Sequence, residues 1–176
     1  MKAIKLLSLI GILIATSAAT SKTDVYQKLR KHDNPAFTYG EELKYRVHYG
    51  IINAASIKFK VADKPLYVKG RPTYNITAYG RTYKSFDWAY RVRDHFETYL
   101  DSQSIAPLKY YKNVQEDKYK DIDMVYYNHE KKWLTGKKKS MAMPAYLQDV
   151  VSSIFYARTL DFTNVRPGQV FPLDVY

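Results

Sequence analysis

The sequence predicts a mainly β fold: a curved antiparallel sheet or open β-barrel, with one packed helix at about residues 147–158 and one short helix at about 85–90. Three observations carry this. From Phe37 onward apolar residues recur at every second position, as strands with one dry face require. The connections between these stretches are short, whereas parallel strands need crossovers of about a dozen residues or more. Only "YLQDVVSSIFYAR", residues 146–158, sustains apolar residues at helical spacing.

The first strand lies in "GEELKYRVHYG", residues 40–50, where Leu43, Tyr45, Val47 and Tyr49 alternate with Lys44, Arg46 and His48. The tyrosines are expected to face the interior and the cations solvent. "AASIKFKVA" repeats the pattern with Ala55, Ile57, Phe59 and Val61, and the linker "GIIN" is short enough for a hairpin. After the breakers Pro65 and Gly70-Arg71-Pro72, a third strand places Tyr74, Ile76 and Ala78 on one side. "YKSFDWAYRV" loses the two-residue period, and the spacing of Phe86, Ala89 and Tyr90 predicts the short helix. In "VRDHFETYLD", Val92, Phe96 and Leu100 point inward, with Arg93, His95, Glu97 and Tyr99 opposite. Pro107 opens the next strand, and "YKDIDMVYYN" returns with Ile122, Met124 and Tyr126 on its apolar side. "KKWLTGKKK" completes a ribbon whose lysines decorate the solvent side. Leu147, Val150, Val151, Ile154 and Phe155 form the buried stripe of the long helix, and "QVFPLDVY" begins a further strand.

The domain is expected to span 37–176, after a signal peptide at 1–19 and a polar leader at 20–36. Lys2 and Lys5 precede an apolar run, Leu6 to Ile14, shorter than the roughly 20 residues of a spanning helix. Ser17, Ala18 and Ala19 suit cleavage after Ala19, which leaves no transmembrane segment. These features predict export to the periplasm or cell envelope, and with no cysteine after the apolar run the chain is not a lipoprotein. Removing the signal peptide leaves about 157 residues, enough for one domain with a real core. An apolar alternating segment that closes without a turn or partner leads us to expect a chain truncated at its C-terminus.

The sequence has no cysteine, which excludes disulfides, thiolate catalysis and cysteine metal sites. The formal charge of +11 is dispersed through strand-like segments and accompanies no nucleic-acid motif, so we expect no nucleic-acid partner. His32, His48, His95 and His129 stand too far apart for zinc spacing and read as surface or turn residues. Asp121 and Asp123 share a strand face but lack the further oxygen donors a hard cation gathers. Glu41-Glu42 and Glu116-Asp117 read as solvated edge charges, Ser152 and Ser153 as small packing residues, and Lys137 to Lys139 as a hairpin tip. Neither a nucleophile elbow nor a phosphate-cradling glycine loop occurs, so no cofactor is expected. Tyrosine is abundant, 18 residues against 7 Phe and 2 Trp, and suits sites where one end of a ring is packed and the other wet. Tyr45, Tyr49, Tyr74 and Tyr126 are the candidates for a groove or core stripe.

Three segments in order, "FTYGEELKYRVHYGIINAASIKFKV", "RVRDHFETYLDSQSIAPLKYYKNVQED" and "QDVVSSIFYARTLDFTNVRPGQVFPLDVY", resemble the exported bacterial family Domain of Unknown Function 3108. The resemblance implies a Gram-negative envelope protein of antiparallel strands, with the helix after "QDVVSS" packed on the sheet and several more strands beyond Tyr176. It transfers no catalytic residue. Where the family tends to carry a glycine for a bulge or tight turn, this chain has Asn53-Ala54-Ala55. The expected function is a non-enzymatic envelope module that binds a lipid, glycan or protein partner through a curved sheet. The alternative is a hydrolase that modifies an envelope polymer, which would need two desolvated carboxyls across a cleft.

Overall fold

The computed structural model describes residues 28–176. The expected signal peptide, 1–19, and the first part of the leader lie outside these residues. Nine strands form one antiparallel sheet that does not close into a barrel: β1 (Glu42–Tyr49), β2 (Ile52–Val61), β3 (Leu66–Val68), β4 (Arg71–Thr82), β5 (Arg93–Asp101), β6 (Pro107–Glu116), β7 (Tyr119–Asn128), β8 (Trp133–Gly136) and β9 (Ser140–Ala142). The order is β1-β2-β4-β5-β6-β7-β8-β9, with β3 folded back on β4. The single helix among the described residues, α1 (Val150–Arg158), crosses one face of this sheet.

Turn chemistry sets the hairpins. Gly50, at φ 58°, supplies the left-handed backbone between β1 and β2, and Lys69-Gly70, at φ 48° and 74°, does so between β3 and β4. Between β1 and β2 the register slips at Val47 and His48, because Val47 faces Ala55 and His48 faces Asn53. Ala54 is the extra residue. The bulge therefore forms without glycine, since Ala54 is not among the residues with positive φ.

The core sits on the face under α1. Phe59 and Val61 of β2, Ile76 and Ala78 of β4, Leu100 of β5, Tyr110 of β6, and Val125 and Tyr127 of β7 are all buried there. Phe155 anchors the helix to this layer, edge-on to Phe37 at 5.0 Å and to Phe59 at 5.9 Å. Both helix ends are tied. At the start the Asp149 carboxylate accepts the Val151 and Ser152 N–H groups, while the Ser152 hydroxyl accepts the Asp149 N–H, a reciprocal capping box. At the end Arg158 donates to both oxygens of Glu41, at 2.6 and 3.1 Å, and to the Ala36 carbonyl.

Several expectations are corrected. In place of the short helix at 85–90, this segment makes consecutive turns, closed by bonds from Phe86 and Asp87 to the Tyr83 carbonyl and from Ala89 and Tyr90 to the Phe86 carbonyl, while the Asp87 carboxylate accepts from Thr82 and Arg93. β7 faces the other way: Asp121, Asp123, Val125 and Tyr127 are buried, while Ile122 and Tyr126 are exposed. Lys112 and Lys138 make this tolerable by pairing with Asp121 from opposite sides and holding its carboxyl near about 2. Of the helical stripe, Val151 and Phe155 are buried but Val150 and Ile154 are not, because the sheet covers only part of the helix's apolar width. Residues 169–174 form no strand, and only a parallel bridge between Gln148 and Val175 remains of the one expected. Glu41 is bound by Arg158, and Glu42 is shared by Lys44 and Lys58. His129 is buried, with Nε2 against the Pro107 carbonyl at 2.7 Å and its ring stacked with Tyr127 and Tyr146.

Candidate functional site

The two ends of the sheet differ. At one end the β5–β6 connection buries Ser104, Ile105 and Ala106, and Asp101 is fully enclosed there. Burial would raise the Asp101 carboxyl, but Arg71 and Ser104 hydrogen bonds outweigh it and hold it below its ordinary value. Residues 30–37 pack over the same end: His32 N–H donates to the Gln103 carbonyl, and Arg30 lies on the Tyr146 ring at 4.1 Å.

At the other end the inner face stays open. There β1, β2, β4 and β5 pass beyond the cover of α1 and leave a groove of about 290 Å³. Its floor is Ile57, Phe59, Ala78 and Phe96; Val47 forms one wall and Val150 with Ile154 the other. Small residues make the depression, since Ala55, Ala78 and Gly80 offer little side chain where neighbouring strands carry Phe and Ile. Asp94 lines it as well, and Arg81 borders it from the outer face. Burial raises the Asp94 carboxyl from its ordinary value, although the Gln115 N–H donates to it at 2.9 Å.

Behind this groove, the outer face of β1, β2 and β4 forms a broad basic recess that includes Lys44, Arg46, Lys58, Arg81, Tyr79 and Tyr83. Arg46 and Arg81 both stand opposite Ser56, and neither forms an ion pair within the described residues. Farther along the same face an aromatic row continues: Tyr79 stacks on His95 at 4.4 Å, and Lys109 lies over Tyr99 at 4.7 Å.

The four tyrosines singled out by sequence do not converge. Tyr45 lies on the inner face, edge-on to Phe59 at 6.0 Å, but is 51% exposed because β1 is an edge strand beyond the helix. Tyr49 is largely exposed at the hairpin end. Tyr74 packs between Phe37 and Tyr39 near the sealed end, and Tyr126 lies on the outer face with its hydroxyl on Met124 Sδ. Sequence reasoning missed Asp149, which is wholly buried and whose carboxyl burial pushes up to about 6 against four hydrogen bonds. An Asp followed three residues later by Ser before an apolar run was the available signal. Its oxygens are taken up by the helix start and by the Thr98 hydroxyl at 2.7 Å, with no opening to solvent. Among the described residues, no cluster of His and carboxylate groups fit for a metal ion occurs, and no helix is long and apolar enough to cross a membrane.

A family model described as "Protein of unknown function (DUF3108)" matches residues 44–176. No curated protein and no solved structure gives a match.

Proposed function

The chain belongs to the DUF3108 family, and from that premise we propose that it is an exported, non-enzymatic envelope module that holds an acyl chain in the groove beside α1. The carrying observation is that groove: an apolar trough floored by Ile57, Phe59, Ala78 and Phe96, with Val150 and Ile154 left uncovered on its wall. At about 290 Å³ it lies near the lower end of the roughly 300–1,000 Å³ that ligand pockets span, which suits one chain and not a bulky lipid. Asp94, beside Gly80 on the groove's lining, offers an acceptor to a polar head. Export rests on the short apolar run and small residues before Thr20. A hydrolase reading draws no support from the buried carboxyls, since Asp101 is engaged by Arg71 and Asp149 by a helix start.

The test is titration with a fluorescent polyene fatty acid, together with native mass spectrometry of protein purified from its own envelope. Ile154→Glu puts a carboxylate on the groove wall at a position already 42% exposed, so folding should survive while affinity falls at least about tenfold. Equal binding by both proteins, or no uptake by the wild type, would reject the groove as the site.

A further inference from the structure

The open end of the sheet carries apolar side chains that the fold does not use. Ile51, at the β1–β2 tip, is fully exposed; Tyr49 and Ile52 beside it are 74% and 50% exposed. Trp88, in the 83–91 connection, is 84% exposed and touches only Phe86 among the aromatic rings, with its indole N–H on the Ser85 carbonyl. Tyr90 stands half exposed with its hydroxyl on Glu116. Strand polarity places these groups together, because β1, β4 and β6 end here and β2, β5 and β7 begin here. Backbone bonds fasten the connections to one another: Tyr83 N–H to the Ala54 carbonyl, and Asp117 N–H to the Arg91 carbonyl.

Cations surround this apolar tip. Arg46, Arg81, Lys84, Arg91 and Lys118 make no ion pair within the described residues. The acids present are Asp87, bound by Arg93, together with Asp94, Glu116 and Asp117. Bulky apolar and indole groups at a tip, ringed by unpaired Lys and Arg, match a bilayer interface with anionic headgroups, where indole and tyrosine rings sit at the boundary and each nearby cation adds attraction. A second copy of the chain fits less well. Pairing through the β1 edge would set Lys44, Arg46 and His48 against a like-charged strand and leave the tip in water.

We propose that this end of the sheet docks on an anionic lipid surface, with Ile51, Ile52 and Trp88 entering the acyl boundary and Arg46, Lys84, Arg91 and Lys118 meeting phosphates. The groove opens at the same end, so docking presents its mouth to the bilayer; the docking itself does not depend on the groove being filled.

The experiment uses Trp133→Phe protein, which leaves Trp88 as the sole indole, with vesicles of phosphatidylcholine alone or mixed with phosphatidylglycerol. The expected result is sedimentation with the mixed vesicles, a blue shift of Trp88 emission, and binding at least about tenfold weaker to the neutral vesicles or after addition of about 0.5 M salt. Ile51→Glu should reduce binding by about tenfold or more with an unchanged urea midpoint, since Ile51 supports nothing in the fold. Ile154→Glu should leave vesicle binding intact, which separates docking from chain capture. The proposal is overturned if the protein stays in the supernatant at low salt, if Trp88 emission does not move, if Ile51→Glu binds as well as its parent, or if Ile154→Glu abolishes binding.

Discussion

Replacing Asp149 by Asn should change the pH dependence of stability in a calculable direction. Four hydrogen bonds favour the carboxylate, from the N–H groups of Val151 and Ser152, from Thr98 and from the Ser152 side chain, yet complete burial outweighs them and raises the group from 3.8 to about 6. A carboxyl raised on folding stabilises the fold fully below its unfolded value and loses that contribution as pH climbs through about 6. Two pKa units correspond to about 3 kcal/mol. Asn retains an acceptor for the helix start, and the Thr98 hydroxyl, which now donates to Oδ2, must turn to accept from the new amide. The variant should therefore gain on the wild type by up to about 3 kcal/mol between pH 4 and 7.5. Urea titrations of both proteins across that range measure the difference. Burial lowers His32 and His129, which cost stability as pH falls, but both proteins share them and the difference removes them. A flat difference, or a variant that loses ground as pH rises, would refute the reasoning and mean that the hydrogen bonds outweigh burial.

Truncating Phe155 to Ala should cost about 3–5 kcal/mol in urea unfolding, because the ring is wholly buried between Phe37 and Phe59. By the same assay Tyr45→Lys should cost only about 1 kcal/mol, since half of that ring already meets water; a loss as large as that of Phe155→Ala would show β1 to be covered. Arg158→Ala should cost about 2 kcal/mol by leaving Glu41 half-buried without its two donors, and Arg158→Lys should recover only part, because an ammonium cannot bridge both oxygens. Full recovery by Lys would reduce that contact to simple charge attraction.

The strand order and most faces were legible because their signals are local. Ile76 with Ala78, and Phe96 with Leu100, alternate cleanly and do face the helix side. The sequence assigns β7 the opposite face because both of its faces carry apolar groups, and Asp121 and Asp123 by their charge mark theirs as the wet one. What admits Asp121 to the inner face is Lys112 on β6 and Lys138 on the next hairpin, and what admits Asp123 is the Lys137 N–H, pairings over distance that no local period reports. The 85–90 segment has helical spacing, but so short a stretch gains few bonds for the cost of nucleation, and Asp87 is held by Arg93 instead. The candidate groove was only half visible. Val150 and Ile154 stand at helical spacing in an apolar stripe expected to be buried whole, yet which part of the stripe the sheet leaves bare depends on where α1 crosses it, set by Thr98 at one end and Glu41 at the other.

The asymmetry of the two ends follows from what occupies the turns. At the sealed end, buried Asp101, Ser104 and His129 each have hydrogen-bonding partners, so polar groups close the connections from within, while Tyr67 of β3 and Trp133 of β8 stay exposed beside them. At the open end the connections hold Ile51 and Trp88 in positions where Gly, Asn or Asp would serve the backbone equally well. Neither side chain joins the buried cluster, so their exposure contributes nothing to folding and adds an aggregation hazard. A single exposed apolar residue would need no explanation, but Tyr49, Ile51, Ile52 and Trp88 lie on connections tied into one rim, beside the mouth of an apolar groove and among unpaired cations. Internal hydrogen bonds close the sealed end; at the open one the docking proposed above gives Ile51, Ile52 and Trp88 an apolar, negatively charged surface to meet.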